Sequence, residues 1–292
     1  NHCLLTINKF SDGNRFISGN RCENGADNNI KREEVPNLYK YKYDKMFSYE
    51  PLSEEKATRG LIGIPRVLNI YENYVFWFSF FTKLGYRVVL SDRSSKALFE
   101  NGMETIPSES VCYPAKLVHG HIMNLVEKGV NTIFYPCIPY EKKVDDEADN
   151  HYNCPIVTSY AETIKNNMDI LKHKNIKMLT PFLALDNINK LKKRLMDEFK
   201  EYHINHKEIK AAIDFALAEE KAFRIDLEQK AVEVLRYLNK TGKRGIVLAG
   251  RPYHIDPEIN HGIPEVIATY GMAVLTEDSL SSLGKLDRPL RV

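Results

Sequence analysis

Two stretches of this chain follow one grammar, and that repetition limits the folds open to it more than any other feature. The first runs Ile62-Gly63-Ile64-Pro65-Arg66, an apolar helix closing at Leu84-Gly85-Tyr86, then Val88-Val89-Leu90-Ser91-Asp92. The second runs Leu248-Ala249-Gly250-Arg251-Pro252, a helix closing at Tyr270-Gly271-Met272, then Ala273-Val274-Leu275-Thr276-Glu277. Each reads as a short strand, a Gly/Pro/Arg loop, a helix capped by glycine, and a second strand with an acidic residue behind it. Such strand–helix–strand units make parallel sheets with right-handed crossovers. The expected fold class is α/β, with two similar doubly wound domains, the second truncated, joined by a long helical segment. Ligands in such folds bind outside the C-terminal ends of the strands, and a cleft between two of them is a common site.

The remaining segments fit around this frame. Residues 1–56 are expected to form an N-terminal hairpin and tether, with strands on either side of Ser11-Asp12-Gly13-Asn14 and one short helix near residues 35–47. In that helical stretch Tyr39, Tyr41 and Tyr43 also alternate, which leaves a half-buried strand open. Residues 57–185 form the first α/β domain, with strands at 61–64, 87–90, 132–135, 155–159 and 178–180 and helices at 68–84, 94–100, 114–128 and 160–168. Residues 186–242 form a helical connection, because Leu191, Leu195, Phe199 and then Ile209, Ala212, Ile213 and Ala216 recur at three- and four-residue spacing. Residues 243–292 begin the second α/β domain. The chain starts without Met and stops as an apolar segment begins, so it reads as a fragment of a longer protein.

Within the first domain, residues 106–159 gather the reactive side chains. Cys112 precedes Tyr113-Pro114 at a helix start, Cys137 follows a strand in Tyr135-Pro136-Cys137, and Cys154 sits in Asn153-Cys154-Pro155. Helix N-termini favour thiolate through their backbone N–H groups and dipole. If the strands are parallel, all three cysteines converge on one sheet edge, where three thiolates suit zinc or, better, an iron–sulfur cluster. No C-x-x-C spacing occurs, which argues against a zinc ribbon. Cys3 and Cys22, at the outer ends of the hairpin strands, are secondary candidates. Glu109, Ser110, Lys116, His151 and Asn153 surround the cysteines as substrate or cluster environment. His119 and His121 straddle Gly120 on one helix and cannot both face one site. Arg66, Arg251 and His254 belong to the repeated loops, where Arg251 offers a bidentate grip for phosphate or carboxylate. No G-x-x-x-x-G-K-[ST] or G-x-G-x-x-G motif is present.

Charge and hydropathy exclude several classes. The formal net charge of +2 implies no nucleic-acid partner. The most apolar run, residues 74–81, is too short to span a bilayer. A sparse, odd number of cysteines points to a reducing, cytoplasmic setting rather than a disulfide framework.

The strings SGNRCENG, IGIPRVLNIYENYVFWF, PSESVCYPAKLVHGHI, FYPCIPYE, DNHYNCPIVTSY and VLAGRPYHIDPEINHGIP carry a resemblance. They resemble the uncharacterised region of large CoA-substrate-specific enzyme activase proteins. That region follows two ATPase modules of the acetate/sugar-kinase/actin-like type and is related to the iron–sulfur subunits of 2-hydroxyacyl-CoA dehydratases. The resemblance implies tandem Rossmann-like domains carrying a cysteine-ligated iron–sulfur cluster, [4Fe–4S] or larger, with Cys112, Cys137 and Cys154 as ligands. It also implies ATP-driven, low-potential electron transfer towards an acyl-CoA-type substrate, with ATPase modules of the same chain as partners. ATP itself would bind only in the portion outside this sequence. The dehydratases space their cysteines differently from this chain. A second reading is a non-redox module that binds a CoA ester or an anion and whose cysteines are structural.

Overall fold

The computed structural model describes residues 6–11, 13, 15–18, 34–143 and 150–283, so Cys3, Cys22 and Asp149 lie outside the described residues. The chain divides between Val35 and Pro36 into two compact units. In the first, β1 (Thr6–Lys9) and β2 (Arg15–Ser18) pair antiparallel with Ile7 opposite Ile17, the hairpin that the turn residues imply. Gly13 makes the turn at φ +86°, in the left-handed region, and donates to the Phe10 carbonyl at 3.0 Å.

The second unit begins with α1 (Leu38–Met46), started by Asn37, whose side chain accepts from the Lys40 N–H. The alternating tyrosines are therefore helical. Lysines between them break the apolar alternation, and Leu38, Tyr39, Tyr43 and Met46 fall on one buried helical face. Asn37 also bridges Val274 in parallel, and the Val274 N–H donates to the Pro36 carbonyl at 2.9 Å, so the expected tether is packed against the second α/β segment.

The central sheet has four parallel strands in the order β4-β3-β5-β6, where β3 is Leu61–Ile64, β4 Arg87–Leu90, β5 Thr132–Phe134 and β6 Lys177–Leu179. Between β3 and β4 runs α2 (Ile70–Lys83), which is apolar on nearly all sides and almost wholly buried. A helix of that composition must be covered on opposite faces. Trp77 and Phe81 meet Phe134 of the sheet at ring-centroid distances of 4.7 and 4.8 Å, and on another side Phe80 and Phe81 meet Phe199 at 6.1 and 5.9 Å.

Two further helices, α3 (Lys96–Gly102) and α4 (Tyr113–Glu127), cross at a pair of glycines. A Cβ on Gly120 would lie 2.0 Å from the Leu98 carbonyl oxygen, and one on Gly102 would lie 2.2 Å from the Gly120 nitrogen. Backbone touches backbone there, so neither position tolerates a side chain.

Residues 155–159 are not a strand, as their β-branched residues suggested, but the first turns of α5 (Pro155–Asn167). Pro155 sits at the first helical position, where its missing N–H costs nothing and its fixed φ suits the helix. A short α6 (Asp169–His173) leads to β6. The helical stretch expected over 186–238 is interrupted. After α7 (Ile188–Glu198), a 3-10 turn at Lys200–Tyr202 ends with His203 at φ +54°, and a reciprocal Asn205–Glu208 capping box opens α8 (His206–Thr241).

At 36 residues, α8 spans about 54 Å at 1.5 Å per residue. Ile209, Ala212, Ile213 and Ala216 on its first half join the main core, while Ala231 and Val234 pack with Leu38, Ala273 and Leu275 in a second cluster. Gly242 closes it at φ +67°. The second α/β segment is a parallel pair, β7 (Gly245–Leu248) and β8 (Ala273–Thr276), with α9 (Pro257–Asn260) and α10 (Ile263–Thr269) between them. Its helix and strands are where the repeated grammar puts them. The main sheet is parallel α/β, while the second segment contributes two strands rather than a second full sheet among the described residues. No helix there is long and apolar enough to cross a membrane.

Candidate functional site

In the sheet order β4-β3-β5-β6 the direction of winding reverses between β3 and β5, and the crevice outside their C-terminal ends is where α/β sheets bind ligands. The loop after β3 enters that crevice through Leu68, which is buried at φ +43°, a left-handed backbone that a leucine side chain adopts only at a cost. This turn delivers Asn69 at the start of α2. Asn69 is 3% exposed, its side chain makes no capping bond, and neither Oδ1 nor Nδ2 has a hydrogen-bond partner among the described residues. A buried carboxamide with both ends open is expensive unless something fills it.

The loop after β5 supplies the second wall. Tyr140 and Tyr152 form an antiparallel bridge flanked by bonds from Glu141 N–H to the His151 carbonyl and from Asn153 N–H to the Pro139 carbonyl, both 3.0 Å. Neighbouring residues of an extended ribbon face opposite sides. With the two tyrosines exposed, Glu141 and Asn153 turn inward, and Asn153 Nδ2 donates to Glu141 Oε1 at 2.8 Å. Asn73 Nδ2 of α2 donates to Glu141 Oε2 at 3.1 Å. Burial pushes the Glu141 carboxyl up to about 7, with Glu72 adding to the rise and the two amides and Lys142 opposing it. Cys154 follows as the N-cap residue ahead of α5, where its Sγ accepts from the Val157 N–H at 3.4 Å.

The third wall is the loop after β7. Arg251 and Tyr253 close over the same space, leaving a pocket of about 10 Å³ lined by Asn69, Glu141, Asn153, Cys154, Arg251 and Tyr253 among others. This loop is tied to the first α/β segment by a second, fully occupied polar assembly. Buried Asp256 accepts from Tyr71 Oη at 2.5 Å and from Ser94 Oγ, Ser94 bonds His121 Nε2 at 3.0 Å, and His121 Nδ1 bonds Ser91 Oγ at 2.8 Å. Ser91 in turn accepts from the Arg66 N–H at 2.8 Å. Tyr113 adds a bond to Glu258 at 2.9 Å, and Tyr39 donates to the Leu248 carbonyl at 2.8 Å.

The structure brings Cys154, Asn153 and Arg251 together and leaves the other expected residues around them. His254 sits behind Arg251, with Nδ1 accepting the Arg251 N–H at 3.0 Å. Arg66 is engaged elsewhere, donating from Nε to the Ser91 carbonyl at 2.7 Å and lying 4.5 Å over the Phe47 ring. His151 is half-buried and packs on Tyr140 and Tyr152. Glu109 and Ser110 are exposed and Lys116 is half-buried, and none of the three lines the pocket. His119 and His121 face different partners, His119 bonding Thr105 at 2.7 Å and Tyr160 at 3.0 Å. Burial lowers His119 to about 4 and His121 to about 3, so both are neutral. Asn69, Glu141 and Tyr253 were not singled out by sequence. Glu141 does lie within the FYPCIPYE string, and a polar residue directly ahead of a mostly apolar helix was the signal for Asn69.

The three cysteines differ in exposure and in setting. Cys112 is exposed at the start of α4, Cys154 is half-buried at the start of α5, and Cys137 is wholly buried, its thiol pushed up to about 11 by burial. All three act electrostatically on the Tyr135 hydroxyl, a buried group with no hydrogen-bond partner among the described residues. Yet no group of three or more Cys, His, Asp and Glu among the described residues is gathered as a metal ion would need.

No curated protein matches the sequence. Residues 61–280, from the first strand of the main sheet through β8, match the family described as CoA enzyme activase uncharacterised domain, and every wall of the pocket falls inside that span. The match covers most of the chain, which therefore belongs to the CoA enzyme activase uncharacterised domain family.

Proposed function

We propose that this chain is the ligand-binding α/β module of an activase-type protein, and that its pocket takes the acyl head of a CoA-type thioester, carboxylate-bearing heads above all. The observation that carries the reading is Asn69, a buried carboxamide offering an unused donor and acceptor to a pocket at the winding reversal of the sheet. Arg251 supplies positive charge at the rim. The start of α5 adds backbone N–H groups of positive character at the same pocket. The space enclosed as the side chains stand is about 10 Å³, so in this reading the exposed Arg251 side chain swings outward to admit a short acyl group, with the nucleotide of CoA outside. In this reading the second α/β segment acts as a lid half, a Rossmann-like partner to the first, and ATPase modules act as partners of the assembly in the cytoplasm. Calorimetry with succinyl-CoA tests it: Arg251→Ala weakens binding about tenfold, roughly the loss of one charge-assisted hydrogen bond, whereas Cys112→Ala leaves it unchanged. No saturable binding by the wild-type chain, or equal binding by Arg251→Ala, would contradict it.

A redox reading is favoured by a different observation, the three cysteines distributed around the unpartnered Tyr135 hydroxyl. In this reading Cys112, Cys137 and Cys154 together hold an iron–sulfur cluster. Iron and acid-labile sulfide analysis after anaerobic purification decides it: a colourless, iron-free protein removes it, and stoichiometric iron lost in Cys154→Ala supports it.

A further inference from the structure

Acyl binding accounts for Asn69 and Arg251 but leaves a carboxyl, Glu141, directly in the path of an anionic head. None of the ion pairs among the described residues includes Glu141. The neighbouring Lys142 ammonium is bound instead to Glu220 of α8. What holds Glu141 is a pair of neutral amides, Asn153 from the same ribbon and Asn73 from α2. The charged and titratable groups around it are Glu72 on α2, Lys142 beside it, His151 across the ribbon, Cys154 on α5, and Arg251 on the loop after β7. An ionised Glu141 would repel a carboxylate brought between Asn69 and Arg251, whereas a protonated one would donate a hydrogen bond to it.

We propose that Glu141 is a ligand-contacting residue that takes up one proton from solvent when a carboxylate-bearing acyl head enters, so that binding and protonation are coupled. The proposal rests on the acyl-binding reading above and adds the protonation state in which the site works. The carboxyl titrates near neutrality without ligand, so it is largely ionised above that pH, and the bound carboxylate has to hold it protonated across the alkaline range. The proton comes from bulk water, bonds to a Glu141 oxygen, and remains there as the donor of the new hydrogen bond. No bond of the ligand breaks.

The probe is succinyl-N-acetylcysteamine, a carboxylate-bearing thioester with no phosphate to titrate, with neutral acetyl-N-acetylcysteamine as its control. Calorimetry is run from pH 6 to pH 9 in two buffers of different protonation enthalpy. The expected Kd for the succinyl probe is flat below about pH 7 and weakens about tenfold per unit above it, with proton uptake approaching one per ligand by pH 8. The acetyl probe shows neither effect, and Glu141→Gln binds the succinyl probe with a flat profile and no uptake. Wild-type binding without proton uptake overturns the proposal, and needs no variant to do so. A folded Glu141→Gln that keeps the wild-type slope, or that loses both probes, also overturns it. If the wild-type chain binds neither probe even at pH 6, it is the acyl-binding reading itself that fails.

Discussion

Two polar assemblies sit at the C-terminal edge of the same sheet, and they are built to opposite rules. In one, Ser91, His121, Ser94, Asp256 and Tyr71 form an unbroken chain of hydrogen bonds, buried throughout. In the other, Asn69 is as deeply buried but its carboxamide has no partner among the described residues, and Glu141 has two amides but no ion pair among them. Burying polar groups is tolerable when each finds a partner and costly when it does not. The closed assembly therefore reads as the fastening that holds the Arg251 loop in place. The open one reads as a space reserved for a ligand. Substitutions should separate the two, with the closed assembly showing up in stability and the open one in binding.

The largest expected effect is acid sensitivity of the histidine-centred packing. His121 and His119 titrate in the folded state at about 3 and about 4, below the unfolded value of 6.5. The folded chain thus holds fewer protons between these values, and the stability they contribute is full above pH 6.5 and lost as pH falls towards 4. The loss by pH 4 is on the order of 3 kcal/mol per histidine, read from urea midpoints at constant ionic strength. A midpoint flat from pH 7 to 4 would contradict it. Next comes Asp256→Ala, which leaves the Tyr71 and Ser94 hydroxyls buried without their acceptor and should cost about 3 kcal/mol. Its near-ultraviolet circular dichroism should also change where Tyr71 is released.

A smaller effect of opposite sign is expected in the open assembly. Glu141 has a folded value of about 7, above its unfolded range, so the wild-type chain loses stability as pH rises from about 4.5 to 7. Glu141→Gln removes that loss and should be more stable than wild type at pH 8 by roughly 1–2 kcal/mol, the full shift being reduced because the group is partly solvated. Equal midpoints at pH 8 would mean the carboxyl is not penalised by its surroundings. The smallest effect is Cys112→Ala, expected to change neither midpoint nor succinyl-CoA affinity, since Cys112 is exposed and off the pocket.

Much of the frame was legible from residue order. Strands β3 and β4 lie where short apolar runs end in Pro65 and Ser91, and helices α2 and α4 stop at Gly85 and Gly129, both with positive φ. Misreadings came where local signals compete. Ile156, Val157 and Thr158 are β-formers, but a preceding Cys-Pro pair and the need to cover the sheet make them helical. The Asn205–Glu208 capping box that breaks the 186–238 stretch was readable and was masked by the continuing apolar period. The pocket was legible only in part. Arg251 and Cys154 stand out by residue type, whereas the open state of Asn69 depends on the left-handed turn at Leu68 and on what its neighbours fail to offer. Those are properties of packing, not of any short stretch.

The most direct test of the contrast is Asn69→Leu, assayed for both stability and succinyl-CoA binding in one preparation. Leucine is close in size and needs no partner, and Asn69 makes no capping bond to lose. A group reserved for a ligand predicts an unchanged or higher melting temperature with affinity down at least about tenfold. A fall in melting temperature with binding intact would mean that Asn69 is structural, and that the pocket is not where the chain holds its ligand.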